Sequence, residues 1–188
     1  MPKLILFAGP NGCGKSTLYQ TNRELFDIPR VNVDEIVREN GWDWKNPLDL
    51  LHAGKIACKK NQDCLNNGVS FNRETTLCGK TSVRNIKEAK RLGYEIELHF
   101  VYVQSVDIAK ERIRNRVASG GHGIPDTDIE RRYVESLQKL QEVSPLCDKV
   151  ELYDNTEQFV KIISIKNGRS VYKAEKLPDW AKDICIDT

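Results

Sequence analysis

Apolar and polar residues alternate along the chain in a way that predicts buried strands separated by amphipathic helices. Residues 4–8 form a continuous apolar run that ends at Gly9, which is typical of a strand covered on both faces. This order predicts an α/β fold with a parallel sheet flanked by helices. The predicted strands are residues 4–8, 30–33, 69–72, 96–103 and 149–153, and the predicted helices are residues 15–25, 47–65, 81–92, 105–119 and 126–143.

Two segments are predicted to form structures that add to the sheet and its helices. Residues 105–143 are predicted to form two helices separated by a glycine-rich break at residues 120–125, an arrangement typical of a mobile lid. Residues 160–175 contain Asn167-Gly168 between alternating residues, which favours a tight β-hairpin. We expect residues 1–188 to form a single domain, because the chain is short for two independent cores.

The composition narrows the class of ligand. Hydrophobic residues make up 39% of the chain and charged residues 30%, and the net charge is only +2. A protein that binds nucleic acid usually carries a stronger basic excess. We therefore expect small anionic ligands and no nucleic-acid partner.

The cysteines and the first apolar run bear on the location of the protein. The run at residues 4–8 is too short for a signal peptide or a membrane span, so we expect a cytoplasmic protein with no membrane partner. No C-x-x-C spacing supports a zinc site or a redox pair. We expect free, buried thiols at Cys13, Cys58, Cys64, Cys78, Cys147 and Cys185.

A phosphate-binding pattern is the strongest chemical signal in the sequence. Residues 9–16 match G-x-x-x-x-G-K-[ST] at every fixed position, between a predicted strand and a predicted helix. Backbone N–H groups and the positive helix end would therefore face a phosphate. Lys15 would contact the β- and γ-phosphates, and the Ser16 hydroxyl would hold Mg²⁺. The expected nucleotide contacts are Gly9, Asn11, Gly12, Cys13, Gly14, Lys15, Ser16 and Thr17.

Other features favour a small kinase over other phosphate-loop proteins. The Asn-Lys-x-Asp segment of GTPases is absent from the sequence. Motor ATPases usually end a strand in an acid, whereas Gln104 follows the strand predicted at residues 96–103. Small kinases place acids at the ends of other strands and supply arginines from a lid.

Two acids are expected at the strand edge beside the phosphate loop. Asp34 follows the predicted second strand and is the candidate catalytic base for an acceptor hydroxyl; the alternative is an N-cap of the next helix. Glu74 is assigned to positioning of the acceptor or of Mg²⁺, with an exposed loop acid as the alternative. The predicted acceptor contacts are Asp34, Glu74, Thr75 and Arg132.

Arginines in the predicted lid are candidates for stabilising a transferring phosphoryl group. Arg112 and Arg116 are four residues apart, so they share a helix face, and we assign both to catalysis beside Lys15. Arg131 and Arg132 lie beyond the glycine break, and the choice of clamp among the four stays open. A basic helix face by itself is more often a solvated surface.

Three ring side chains have two interpretations each. His122 would contact a phosphate or substrate, or would be a solvated loop residue. Trp42 and Trp44 would line an acceptor pocket, or would pack a loop onto the core.

Cys13 would make nucleotide binding sensitive to thiol reagents if its sulfur were accessible.

With these residues identified, the chain resembles the zeta-toxin family of P-loop kinases, especially its short members. The resemblance runs from Lys3 to about Tyr153, and its Glu-Thr-Thr and Gly-Gly-His segments are more specific than the phosphate loop. The shared motifs, in order, are Gly-Pro-Asn-Gly-x-Gly-Lys-Ser-Thr (9–17), Val-Asn-x-Asp-Glu-Ile (31–36), Glu-Thr-Thr-Leu (74–77), Gly-Tyr-x-Ile (93–96), Arg-Val-x-x-Gly-Gly-His-x-Ile-Pro (116–125) and Arg-Arg-Tyr-x-x-Ser-Leu (131–137).

The resemblance implies a P-loop kinase-like fold and an ATP- and Mg²⁺-dependent phosphotransferase. It implies that Asp34 is the base, that Lys15 and Ser16 contact nucleotide and metal, and that lid arginines form the clamp. In zeta toxins the acceptor is UDP-N-acetylglucosamine and an antitoxin protein blocks the ATP site. Two alternatives stay open: a nucleoside or nucleotide kinase, and an ATP-binding regulatory module that binds a partner without phosphoryl transfer. A polynucleotide kinase is a further option, and the near-neutral net charge counts against it.

Overall fold

A seven-stranded sheet forms the centre of the computed structural model, which describes residues 1–25, 27–182 and 184. The strands are β1 (Lys3–Ala8), β2 (Arg30–Val31), β3 (Phe71–Thr75), β4 (Glu95–Tyr102), β5 (Lys149–Asp154), β6 (Val160–Lys166) and β7 (Arg169–Lys173). Their order across the sheet is β2-β3-β1-β4-β5-β6-β7. The sheet is parallel from β2 to β5, and β6 and β7 continue it in antiparallel pairing. The predicted fold class is confirmed, and the predicted hairpin is the β6–β7 pair.

Helices connect the parallel strands, and a short further helix follows β7. They are α1 (Lys15–Thr21), α2 (Val33–Glu39), α3 (Pro47–Asn66), α4 (Gly79–Arg91), α5 (Val106–Ala118), α6 (Asp126–Val143) and α7 (Asp179–Lys182). Polar caps fix several starts: Asn46 precedes Pro47 at α3, and Ser105 accepts a hydrogen bond from the N–H of Ile108 at α5. The predicted bounds of α6 are confirmed, and those of α3, α4 and α5 are within two residues of the observed ones.

The core lies on both faces of β1. Leu4, Leu6 and Ala8 pack with apolar residues of α2, α3, α4 and α6. Ile5 and Phe7 point to the opposite face and pack with residues of α1 and α5. A strand covered on both sides explains why this segment is continuously apolar. No helix in the described part of the chain is long and apolar enough to cross a membrane.

Three predicted boundaries near the phosphate loop are wrong. The second strand ends at Val31 and not at residue 33, because the Asn32 side chain accepts the Asp34 N–H and starts α2. The first helix ends at Thr21, where the Asn22 side chain donates to the Leu18 carbonyl, and a 3₁₀ turn follows at Arg23–Leu25. The third strand is Phe71–Thr75 and not residues 69–72, so Glu74 lies within β3.

The burial of the cysteines only partly matches the expectation of free, buried thiols. Cys13 and Cys147 are buried free thiols, and Cys64 and Cys78 are half-buried. Cys58 is exposed on α3, because it lies on the helix face that points away from the core. Cys185 lies outside the described residues.

Candidate functional site

The phosphate loop, residues 9–16, leaves β1 where that strand lies between β3 and β4. Gly9 has a φ of 134°, and a Cβ there would lie 2.1 Å from the carbonyl oxygen of Val101. Gly12 has a φ of 81°, and its Cβ would lie 2.5 Å from the carbonyl oxygen of Ala109. Both glycines are therefore required by close packing of the loop backbone against β4 and α5.

Two cavities meet beside this loop. The smaller has a volume of about 350 Å³ and also contacts α5, and the larger has about 660 Å³ and extends to the glycine-rich lid segment. The smaller is lined by Gly12, Gly14, Ser16, Thr17, Arg112, Arg116 and Asn155, among others. Four residues line both cavities: Asn11, Lys15, Asp34 and Glu74. The two acids predicted at the strand edge thus lie at the boundary between the cavities.

Glu74 is the centre of a polar cluster on the loop side. Its carboxylate accepts hydrogen bonds from Ser16 Oγ at 3.0 Å and from Asn32 Nδ2 at 3.0 Å. Arg30 Nη2 lies 2.8 Å from Oε2, and Lys15 Nζ lies 3.9 Å from Oε1. The Glu74 side chain is only 12% exposed, so the alternative of an exposed loop acid is wrong.

Asp34 has a different environment from Glu74. It lies in the first turn of α2, and its backbone N–H donates to Asn32 Oδ1 at 2.9 Å. Asn32 is therefore the N-cap, and the alternative that Asp34 caps the helix is wrong. The Asp34 side chain is 48% exposed, and Nε2 of His122 lies 3.6 Å from its Oδ2. This carboxylate is accessible from both cavities.

The candidate lid arginines fall into two pairs. Arg112 and Arg116, on α5, line the smaller cavity, whereas Arg131 and Arg132, on α6, line the larger one. Arg112 Nη2 donates to the Thr156 carbonyl, and its buried Nη1 has no acceptor among the described residues.

The other arginines are held by local contacts. Arg116 donates to the backbone carbonyl of His122 from Nε at 3.2 Å and from Nη2 at 2.9 Å. Arg132 Nη1 donates to Asn11 Oδ1 at 3.1 Å. Arg131 is paired with Asp128 and Glu135 on its own helix. The structure therefore brings Arg112, Arg116 and Arg132 to the phosphate loop, and leaves Arg131 at the outer part of the larger cavity.

Two rings form one wall of the larger cavity. His122 and Trp44 stack with centroids 4.3 Å apart and an interplanar angle of 13°. Burial lowers the pKa of His122, and the charge of Arg116 adds to this, whereas Asp34 opposes it. Trp42 and Trp44 both pack against the core, and of the two only Trp44 also lines the cavity.

Three of the remaining predicted site residues differ in accessibility. Thr17 lines the smaller cavity and Thr75 the larger one, where Thr75 Oγ1 accepts a hydrogen bond from the Leu77 N–H. Cys13 is fully buried, and this burial raises the pKa of its thiol to about 12. The sulfur is therefore inaccessible to thiol reagents in the folded protein.

The sequence did not single out three residues that support the site. Arg30 and Asn32 hold Glu74, and Asn155 donates from Nδ2 to the Cys13 carbonyl at 2.8 Å. Asn32 had a usable signal, since an asparagine two residues before Asp34 suits a helix cap. Asn155 follows β5 at the same sheet edge, a position where polar residues are worth considering.

Oxygen atoms suited to a divalent cation lie at the boundary of the cavities. Ser16 Oγ and the Glu74 carboxylate are 3.0 Å apart, and both are hard oxygen ligands. The described residues contain no group of three or more His, Cys, Asp or Glu side chains that could hold a metal. Mg²⁺ commonly binds through one or two protein oxygens plus substrate phosphates, so this sparse arrangement fits it.

Comparisons with known proteins agree with the fold. The profile of the zeta toxin family matches residues 51–176, a range that begins after the phosphate loop. A Haemophilus influenzae protein, described only as uncharacterized, is 33% identical over 132 residues, covering 70% of this chain and 92% of that relative.

Two solved structures have similar folds. The AvrRxo1-ORF1:AvrRxo1-ORF2 complex with ATP superposes with a TM-score of 0.71 and 15% identity, over 90% of this chain and 60% of that one. This chain therefore spans less than two thirds of that structure's length. The PezAT toxin–antitoxin structure of Streptococcus pneumoniae superposes with a TM-score of 0.60 and 20% identity, over 98% of this chain and 76% of that one. Since the family profile covers more than half of the chain, the protein belongs to the zeta toxin family of P-loop kinases.

Proposed function

We propose that the protein transfers the γ-phosphoryl group of ATP to a hydroxyl group of a small molecule bound in the larger cavity. The observation that supports this most strongly is the position of Asp34. Its half-exposed carboxylate lines both cavities, so it can contact an acceptor hydroxyl next to a phosphate held by the loop. In this reaction Asp34 takes the hydroxyl proton, the acceptor oxygen bonds to the γ-phosphorus, and ADP leaves.

The smaller cavity is the proposed donor side. Lys15 and Arg112 line it, and the buried Nη1 of Arg112 has no acceptor among the described residues, which fits an anionic ligand. Mg²⁺, held by Ser16 and Glu74, would neutralise charge on the phosphates. The ATP in the AvrRxo1 complex supports ATP as the nucleotide. We assign Arg112 and Arg116 to stabilisation of the transferring group.

The larger cavity is the proposed acceptor side. Its volume of about 660 Å³ is within the usual range for small-molecule sites. The stacked rings of Trp44 and His122 offer an apolar wall for a sugar or base, and Arg131 and Arg132 offer charge for phosphates. This combination favours a nucleotide sugar as the acceptor, with UDP-N-acetylglucosamine as the first candidate. We propose Thr75 and Arg132 as acceptor contacts beside Asp34 and Glu74.

An acceptor screen tests the proposal. Purified protein is incubated with ATP, Mg²⁺ and separate sets of nucleotide sugars, nucleosides and nucleoside monophosphates, and products are detected by the mass of one added phosphate. We expect a nucleotide sugar to gain phosphate and the Lys15→Ala variant to produce none. Phosphorylation of nucleoside monophosphates alone would instead identify a nucleotide kinase. ATP binding without any product would favour a regulatory module.

We also propose that a protein antitoxin covers the donor side. We further propose a cytoplasmic location, where ATP and nucleotide sugars are present. The PezAT structure, described as a toxin–antitoxin system, supports the first of these. Growth arrest on expression of the intact chain, but not of Lys15→Ala, is the expected cellular result. Unimpaired growth with confirmed expression of the active chain would contradict a toxic role.

A further inference from the structure

Arg30 is the first residue of β2, and its side chain is buried against α1, the helix that follows the phosphate loop. Its side chain is 8% exposed, and its guanidinium carbon lies 3.5 Å from the centroid of the Tyr19 ring on α1. Such stacking holds an arginine in one orientation. A buried arginine with a fixed plane is able to orient the carboxylate that it contacts.

The guanidinium of Arg30 contacts three side chains at once. Nε donates to Glu35 Oε1 at 2.8 Å, Nη1 to Asn72 Oδ1 at 3.0 Å, and Nη2 to Glu74 Oε2 at 2.8 Å. These contacts join β2, α2 and β3, and a planar fork of donors is required to make them together. Lysine, as a single point charge on a flexible stem, cannot replace all three.

Arg30 orients the carboxylate of Glu74 and not that of Asp34. Glu74 is 12% exposed and is surrounded by donors from Arg30, Asn32 and Ser16, whereas Asp34 is 48% exposed. A buried carboxylate that accepts several charge-assisted hydrogen bonds is held in one orientation, as a metal ligand must be. The two acids are therefore suited to different tasks.

We infer that Arg30 is a positioning residue that fixes the Glu74 carboxylate beside Ser16, so that this pair of residues holds the divalent cation on the donor side. This rests on the proposed function and resolves the role of Glu74 in favour of the metal over the acceptor. Residues that orient metal ligands typically change metal affinity by about 10- to 100-fold when removed.

The test measures the Mg²⁺ requirement for binding of a fluorescent ATP analogue, which needs no acceptor and no transfer. We expect Arg30→Gln to raise the Mg²⁺ concentration for half-maximal binding by about tenfold or more. Arg30→Lys should give a smaller rise, and Arg38→Gln, an exposed arginine in α2, should give none. Melting temperatures separate this effect from loss of folding.

A double-mutant cycle shows whether Arg30 acts through Glu74. Glu74→Gln should raise the Mg²⁺ requirement, and adding Arg30→Gln to it should give little further change. Additive effects would overturn the inference, and so would an unchanged Mg²⁺ requirement in folded Arg30→Gln. If Arg30→Gln does not fold, Arg30→Lys is judged by the same criteria.

The acceptor side provides a separate criterion. Where transfer is observed, the acceptor KM of Arg30→Gln at saturating Mg²⁺ should match that of the unchanged protein. A raised acceptor KM with an unchanged Mg²⁺ requirement would assign Glu74 to the acceptor and overturn the inference. If no acceptor is ever phosphorylated, the proposed function fails, while the binding experiment still decides the role of Arg30.

Discussion

Nε2 of His122 lies 3.6 Å from Oδ2 of Asp34, although the two residues are far apart in the sequence. His122 belongs to the glycine-rich segment between α5 and α6, and Arg116 donates to its backbone carbonyl. The same arginine lines the donor cavity. The lid segment therefore links the candidate clamp to the candidate base.

Replacement of Asp34 tests the base directly. Asp34→Asn keeps the size of the side chain but cannot take a proton, so we expect kcat to fall by about 10²- to 10⁴-fold. Binding of the fluorescent ATP analogue should change little, because the loop backbone and Lys15 hold the phosphates. Steady-state kinetics with the acceptor found by the screen, alongside equilibrium binding, measure both quantities. Retention of more than half of the kcat would contradict a role as base.

Replacement of the α5 arginines tests the clamp, with a matched control on the same helix. Arg112→Ala and Arg116→Ala should each lower kcat by about 10³-fold, since an arginine that stabilises phosphoryl transfer contributes about 10³ or more. Arg114 is 68% exposed and paired with Asp126, away from both cavities. We expect Arg114→Ala to keep kcat within about twofold. Equal losses in all three variants would indicate a general effect on α5 and contradict the assignment.

Local patterns in the sequence predicted the parts of the fold that local physics determines. The apolar run of β1, the turn chemistry of Asn167-Gly168 and the amphipathic pattern of α6 each lie within a short segment, and all three are confirmed. The predicted position of β3 was wrong because the sequence of this strand, Phe-Asn-Arg-Glu-Thr, carries polar side chains that serve the site. The usual apolar signature of a buried strand is therefore missing there.

Long-range contacts explain what the sequence did not reveal about the site. Arg30 contacts Glu74 across 44 residues, and nothing near Arg30 in the chain marks it as different from a surface arginine. Asp34 and Glu74 were located by motif and strand edge, but their different exposures depend on the side chains packed around them. Their roles as acceptor and metal contacts stay predictions.

The burial of Cys13 predicts an unreactive thiol within the phosphate loop. Burial raises its pKa from 9.0 to about 12, so the thiolate fraction near pH 8 falls by about a thousandfold. We expect iodoacetamide to label the exposed Cys58 readily and to leave Cys13 unmodified in the folded protein. Peptide mass spectrometry measures both sites. Labelling of Cys13 at the rate of Cys58, with loss of binding of the ATP analogue, would contradict the buried position.

Glu97 on β4 lies on the sheet face away from the acceptor cavity. Its contacts predict that the free energy of unfolding depends on pH. Its Oε1 accepts hydrogen bonds from His99 Nε2 at 2.9 Å and from Lys149 Nζ at 2.7 Å. Burial alone would raise the pKa of Glu97, but these two donors lower it to about 2. The folded protein thus holds this carboxylate ionised more strongly than the unfolded chain, in which its pKa is about 4.3.

Since the folded pKa is the lower one, the stabilisation is present above about pH 4.3 and is lost as the pH falls toward 2. Glu97→Gln should lower the free energy of unfolding at pH 7 by about 1–2 kcal/mol, because partial solvation weakens the pairs. Urea unfolding of both proteins from pH 7 to pH 2.5 should show this difference shrinking below about pH 4.3. The exposed Glu111 on α5 supplies the control, and Glu111→Gln should change the free energy of unfolding at pH 7 by less than about 0.5 kcal/mol. A difference between Glu97→Gln and the unchanged protein that stays constant across this pH range would show that Glu97 is not held ionised by His99 and Lys149.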